Sequence, residues 1–491
     1  MATNNSDFGP QRKVVIKAAW WSALQSWGSR IVSLLVFVVL ARMLVPHDFG
    51  LAAMAMIFIT LIKVLIEQGM GESIVQRSEL TSRDLNTAFW ITFILGCVLS
   101  LVIYMCSEYL ALIMKEPELK NVLRALSPIC LISSLASVPV AIMRRGFNFR
   151  ILAIRSMAAT LTSGLIAVYC ASAGMGVWSL VVQNMIFSIL NSLFVWIGCS
   201  WRPGFVFCWQ SVVSVGSYSA HSFGAVLSNF LSLRMIEFLI GYYLGAVSLG
   251  YFSVGYKFVS VLNEMLNRIS SQVVMSTFSR LQKNHERLRN ALYEAVGLIS
   301  VLAFPGFVAL SLLAAEIVPL FIGVKWLSAV SVMKVLSLLG LVYSFGNLMY
   351  PLLASQGRPD LRLMILVLRI ILSLGMFFFL MNDGLTAISF GFAIVPALVL
   401  PLAFYYSNRL VGLDVRVYIL RCVPAMFGVV AMIIVAFLAD NISNAYSLSL
   451  LAEFLAKGTA VVCAYLLVVL VVDRNISKRL VSIIKVISER N

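Results

Sequence analysis

The sequence predicts an all-α polytopic membrane protein of about 14 transmembrane helices, two pseudo-symmetric six-helix lobes followed by two further C-terminal helices. Three observations predict it: the composition, apolar runs of bilayer length parted by short polar breaks, and a faint repeat between the halves. Hydrophobic residues make up 61% of the 491-residue chain and charged ones 12%, with a mean hydropathy of +0.96. Soluble domains hold roughly 45–50% apolar and about 25% charged residues. A water-soluble fold is excluded, and no stretch is left for a soluble domain.

The spans follow from length, since an apolar helix needs about 20 residues to cross a bilayer. Runs of that kind start near Ala18, Gly50, Leu85, Val122, Ile151, Val177, Val213, Ser248, Leu292, Val330, Leu361, Ala387, Ile419 and Leu450. Alternating them from a cytoplasmic N-terminus puts about 24 Lys/Arg on the cytoplasmic side, about 7 on the other and about 6 inside spans, as the positive-inside rule requires. The clusters that decide this are Arg144, Arg145, Arg150 and Arg155, then Arg280, Lys283, Arg287 and Arg289, then Arg474, Lys478, Arg479, Lys485 and Arg490. The net charge of +16 is thereby a topology signal, and a nucleic-acid partner is not expected. Arg12, Lys13 and Lys17 precede the first run with no small-residue cleavage site, so the first helix is expected to be an uncleaved anchor. The expected location is a bacterial inner membrane, with both termini cytoplasmic. The eight cysteines are scattered through apolar segments without paired spacing, which fits small buried hydrophobes and neither a disulfide framework nor a metal site.

A repeat appears at an offset of 200 residues, where Ala41, Leu44, Phe49, Gly50 and Phe58 fall on Gly241, Leu244, Leu249, Gly250 and Phe258. Thr60, Lys63 and Glu67 likewise fall on Ser260, Asn263 and Asn267. Transporters are often built from two such halves. The expected division is residues 1–205 for spans 1–6, 206–410 for spans 7–12, and 411–491 for two added spans and a basic tail.

Ionisable groups inside spans are costly unless they face water or a partner, so they mark candidate sites. On the first helix Ser22, Gln25, Ser26, Ser29, Arg30 and Ser33 form one polar stripe. It is either a packing face of small serines or the wall of a cavity, and Arg30 at mid-span favours the wall. On the eighth span Ser253, Lys257, Ser260, Glu264, Asn267 and Arg268 share a face; Glu264 can pair with Arg268 at i,i+4, which leaves Lys257. Thr60, Lys63 and Glu67 share a face of the second span. Arg234 and Glu237 lie at i,i+3 on the seventh, and Arg369 sits mid-span on the eleventh. For these, structural and functional roles are equally open. The cations Arg30, Lys63, Arg234, Lys257, Arg268 and Arg369 outnumber the acids Glu67, Glu237, Glu264 and Glu72. A net positive lumen suits a substrate bearing a pyrophosphate, because guanidinium groups bind phosphate oxygens bidentately and stay charged in poor solvent. An exporter of organic cations calls for acids instead.

Catalysis finds little support. His47, His221 and His285 are far apart, no HExxH, GxSxG or P-loop pattern occurs, and no cofactor site is expected. A polymerase or ligase needs a sizeable extramembrane loop, and the break around Met114 to Lys120 is short. Transport is therefore expected to be secondary, driven by an ion gradient or by consumption of product.

Several segments resemble the polysaccharide transporters of the MOP flippase superfamily, most closely the Wzx flippases of the colanic-acid type. They are FGLAAMA (Phe49–Ala55), EQGMGESIVQR (Glu67–Arg77), LNTAFW (Leu85–Trp90), SVPVAIMRRGFNF (Ser137–Phe149), FSRLQ (Phe278–Gln282) and GRPDL (Gly357–Leu361). The resemblance implies two lobes rocking around a central cavity. It also implies export of undecaprenyl-pyrophosphate-linked repeat units, with a polymerase and export machinery as further partners. Ser29-Arg30 looks like the SR pair of the related lipid II flippases, whose arginines face the cavity. This puts Arg30 first among the six cations, which the charge balance of the spans makes the expected substrate-binding residues, with Glu67, Glu237 and Glu264 expected in gating or ion coupling. A second arginine frequent in those lipid II flippases is Val36 here, and the chain departs from the family pattern at Ser276 and Val324, where proline and glutamate are frequent. Rival functions are a drug/cation antiporter of the same superfamily and a membrane-embedded polymerase or ligase.

Overall fold

The computed structural model describes residues 28, 30–76, 81–146, 149–206, 208–282, 284–346, 348–446 and 449–472. Among them every regular element is helical, and 12 helices are long and apolar enough to cross a membrane. The expected first span starts before the described residues, with α1 (30–43) as its described part. The expected seventh and eighth spans form one element, α8 (Trp209–Leu281), broken at Gly245, whose φ of 81° interrupts the helix. Counting α1 and dividing α8 there brings the spans to about fourteen. The chain is a multi-pass membrane protein, and contacts divide it into two compact units, Met1–Gly250 and Tyr251–Asn491.

The first unit contains α1, α2 (Pro46–Gln76), α3 (Ser82–Met114), α4 (Leu119–Leu126), α5 (Pro128–Arg145), α6 (Phe149–Ser172), α7 (Val177–Gly198) and α8 as far as Gly250. Lipid is as apolar as leucine, so these helices associate through small residues that let backbones approach. A Cβ on Gly96 of α3 would lie 2.3 Å from Ser134 Oγ of α5, and one on Gly164 of α6 would lie 2.4 Å from Val36 of α1. The start of α3 is set by a capping box: Asp84 N–H donates to Thr81 Oγ1 at 3.3 Å, while Thr81 N–H donates to Asp84 Oδ2 at 3.0 Å.

The second unit contains the rest of α8, α9 (His285–Leu312), α10 (Ala314–Ile317), α11 (Leu327–Gly346), α12 (Met349–Ser355), α13 (Pro359–Leu380), α14 (Leu385–Val411), α15 (Val415–Tyr446) and α16 (Leu450–Val472). Here glycines receive aromatic rings: Gly340 of α11 faces Phe307 of α9, and Gly428 of α15 faces Tyr465 of α16. Tyr418, fully buried, packs edge-on against Phe345 and Phe404 and donates to the Phe345 carbonyl at 2.5 Å. Through that bond α15 is tied to α11.

The 200-residue offset has a direct structural expression. A Cβ on Gly50 would lie 1.7 Å from the carbonyl oxygen of Ala246, and one on Gly250 would lie 2.0 Å from that of Pro46. Pro46 and Ala246 open α2 and the second half of α8, and both pairs of residues are 200 apart. The contact is therefore reciprocal, each repeat placing its glycine on the first turn of the other. Glycine is required at both positions because no side chain fits against a backbone carbonyl that close.

Candidate functional site

Depth along each helix follows from its rise of about 1.5 Å per residue. Lys257 lies eleven residues after Ala246, about 16 Å along a helix that, like any span, must cross a hydrocarbon layer about 30 Å thick. Arg234 precedes Gly245 by the same interval, two to three turns from the break, and Arg369, ten residues after Pro359, is near the middle of α13. The structure brings Arg234 and Glu237 together: Arg234 Nη1 donates to Glu237 Oε2 at 2.6 Å. The Glu237 side chain is only 8% exposed, whereas that of Arg234 is 41% exposed. The arginine thus neutralises a buried acid from a position that leaves part of its guanidinium accessible.

Lys257 is partly buried and Glu264, two turns on, is exposed; both make contacts with neighbours. An exposed carboxylate that far along an apolar helix needs water rather than lipid beside it. Ser260 of the same face donates to the Lys257 carbonyl at 2.9 Å, so its hydroxyl is spent within the helix. Arg30, partly buried and also engaged, stands at the start of described α1, about 20 Å from that helix's far end. Lys63 is partly buried on α2 and within electrostatic reach of Cys130 on α5. The side chains of Glu67, Glu72, Asn267, Arg268 and His221, and all of Ser22, Gln25, Ser26 and Ser29, lie outside the described residues.

Arg369 is placed differently. It is buried, its Nη2 donates to Tyr343 Oη on α11, its guanidinium carbon sits 5.1 Å from the centre of that ring, and it also bonds Tyr350 on α12. Phenol oxygens and a π face thus hold this cation within one unit.

Two clusters escape a search along single helices. In the first unit Glu116, after α3, has its Oε2 3.4 Å from His47 Nε2 and accepts from Ala246 N–H on Oε1 at 3.3 Å. In the second, Lys457 of α16 donates to Glu316 Oε1 of α10 at 2.8 Å and to Asp440 Oδ1 of α15 at 2.6 Å. The second cluster left one trace in the sequence: Glu453 and Lys457 stand at i,i+4 in an otherwise apolar run.

Residues 39–331, more than half of the chain, match the family described as polysaccharide biosynthesis protein. The chain belongs to that family. Lipopolysaccharide biosynthesis protein WzxC of Escherichia coli (strain K12) is 27% identical over 356 residues, 71% of this chain and 72% of that protein. The succinoglycan biosynthesis transport protein ExoT of Rhizobium meliloti (strain 1021) is 26% identical over 66% of each chain. Among solved structures, lipid II flippase MurJ in an inward closed conformation superposes with a TM-score of 0.76 at 14% identity, covering 93% of this chain and 99% of that one. An inward-facing multidrug resistance MATE transporter of the MOP superfamily gives 0.64 at 16% identity, over 78% and 94% of the two chains. The resemblance read from the motifs is borne out, and this family member has the fold that the two transporters share.

Proposed function

We propose that this protein carries undecaprenyl-pyrophosphate-linked oligosaccharide repeat units from the cytoplasmic to the periplasmic leaflet of a bacterial inner membrane, for exopolysaccharide or lipopolysaccharide synthesis. Membership in a polysaccharide biosynthesis family supports the cargo class. The observation that carries the mechanism is a partly buried ammonium, Lys257, about 16 Å inside an apolar helix. The lipid tail stays in the bilayer while the headgroup follows a water-accessible cationic path. Arg30, Lys257 and Arg268 attract the pyrophosphate; Lys63, Arg234 and Arg369 tune the field; Glu67, Glu237 and Glu264 gate it. Unequal binding of substrate or ion to two states is sufficient for alternating access. With both termini cytoplasmic, Glu116 and Glu316 lie at the periplasmic ends of their helices.

The test is Arg30→Gln and Lys257→Gln in a deletion strain, with polysaccharide export and the leaflet of the lipid-linked repeat unit as readouts. Both variants are expected to reduce export at least tenfold at normal protein level and to retain repeat units on the cytoplasmic face. Intact export in both sinks the cationic path. Periplasmic accumulation of single repeat units on deletion points to a polymerase or ligase, and drug sensitivity governed by Glu67 or Glu264 points to an antiporter.

A further inference from the structure

Glu316, Asp440 and Glu453 come from three elements, α10, α15 and α16, yet one carboxylate oxygen from each lies within 4.8 Å of the others. Lys457 supplies a single ammonium to this group, bound to Glu316 and Asp440. Three carboxylates thus share the one ammonium seen bound to them among the described residues. Glu316 is 3% exposed, and its second oxygen, Oε2, is buried without a hydrogen-bond partner among the described residues. A buried carboxylate oxygen in that state is costly and calls for a cation or a donor.

We propose that Glu316, Asp440 and Glu453 form a divalent-cation site, of the calcium class, that staples α15 and α16 to α10. Calcium takes carboxylate oxygens at about 2.3–2.6 Å, so oxygens sharing one ion stand no more than about 5 Å apart, as these do. The flexible geometry and the 44% exposure of the Asp440 side chain let water complete the shell. Magnesium, which demands a near-ideal octahedron, suits a site shared with a fixed ammonium less well. On the orientation proposed above the site opens to the periplasm, but its test does not depend on transport.

The protein is purified in detergent, stripped with EDTA, and its thermal unfolding followed by tryptophan fluorescence during titration with calcium chloride or with choline chloride at matched ionic strength. Calcium is expected to raise the midpoint saturably, with a Kd of about 10⁻⁴–10⁻³ M, the range of open extracellular sites. Glu453→Gln, which leaves both Lys457 ion pairs in place, is expected to weaken that response at least tenfold. Lys457→Met removes the competing ammonium and is expected to tighten it at least tenfold. A shift that choline chloride reproduces, or a calcium response undiminished in both Glu453→Gln and Asp440→Asn, overturns the site.

Discussion

Glu116 and Glu316 stand 200 residues apart, each just beyond the long helix of its repeat, α3 or α9. In the first unit the carboxylate side chain is 20% exposed and is shared by an imidazole and the first N–H of the second half of α8. The partial positive charge of that helix start, together with nearby water, offsets it. In the second unit the equivalent side chain is 5% exposed and is neutralised by Lys457 on a helix that the first unit does not contain. An acid at a helix end thus has two fates. In the first unit it caps a helix start and stays partly exposed. With two helices added over it, it is sealed in and becomes their charged anchor.

The comparison breaks most readily at Lys457. Removing one partner of a buried ion pair leaves the other charge uncompensated, at a cost of about 3–5 kcal/mol. Lys457→Met, measured in EDTA, is expected to lower unfolding stability by that amount, and adding Glu316→Gln to recover most of it. A loss under about 1 kcal/mol, the worth of an exposed pair, would mean that the lysine is solvated and anchors nothing.

That anchor also marks the limit of what the sequence discloses. Apolar run lengths and basic clusters disclose the helical fold, because both report how a segment meets the bilayer. The Arg234–Glu237 pair is legible because i,i+3 spacing places two side chains on one helix face. The offset of 200 singles out Gly50 and Gly250, but not that each rests on the other's first turn. Lys457 and Glu316 are 141 positions apart, and helical periodicity says nothing of which faces meet across helices. The same limit hides the tyrosines around Arg369, which lie on two other elements. The charge balance drawn from single spans also left out Asp440, Glu453 and Lys457, which stand near the ends of their spans, and Glu316, which lies beyond one.

The reciprocal glycine contact sharpens the comparison from the side where the repeats agree. Gly50→Ala and Gly250→Ala each push a methyl group against a backbone carbonyl, so neither can be accommodated by a rotamer change. Each is expected to cost about 3 kcal/mol, the upper part of the usual overpacking range. Gly375→Ala, with open space around it, is the control and is expected to be neutral or stabilising by about 0.5–1 kcal/mol. Yield of folded protein and the unfolding midpoint in detergent are the measurements. Unequal losses at Gly50 and Gly250 would show that the crossing is reciprocal in geometry and not in energy.

The smallest expected effect belongs to Glu116. Glu116→Gln keeps an oxygen for the Ala246 N–H and gives up only the attraction to His47, whose side chain is 37% exposed. Partly exposed pairs contribute about 0–1 kcal/mol, and a carboxylate at a helix start adds about 0.3–1 kcal/mol. The unfolding midpoint is therefore expected to fall by no more than about 2 kcal/mol equivalent, and by less as salt is raised. Glu316→Gln, at the equivalent position, is expected to lose more, because it removes a buried ion pair and leaves the Lys457 ammonium with the partly exposed Asp440. If the two substitutions cost the same at low and at high salt, burial is not what separates the two acids, and the added helices must be held by packing such as that of Met432, Ala436, Val461 and Tyr465 with Val308 of α9.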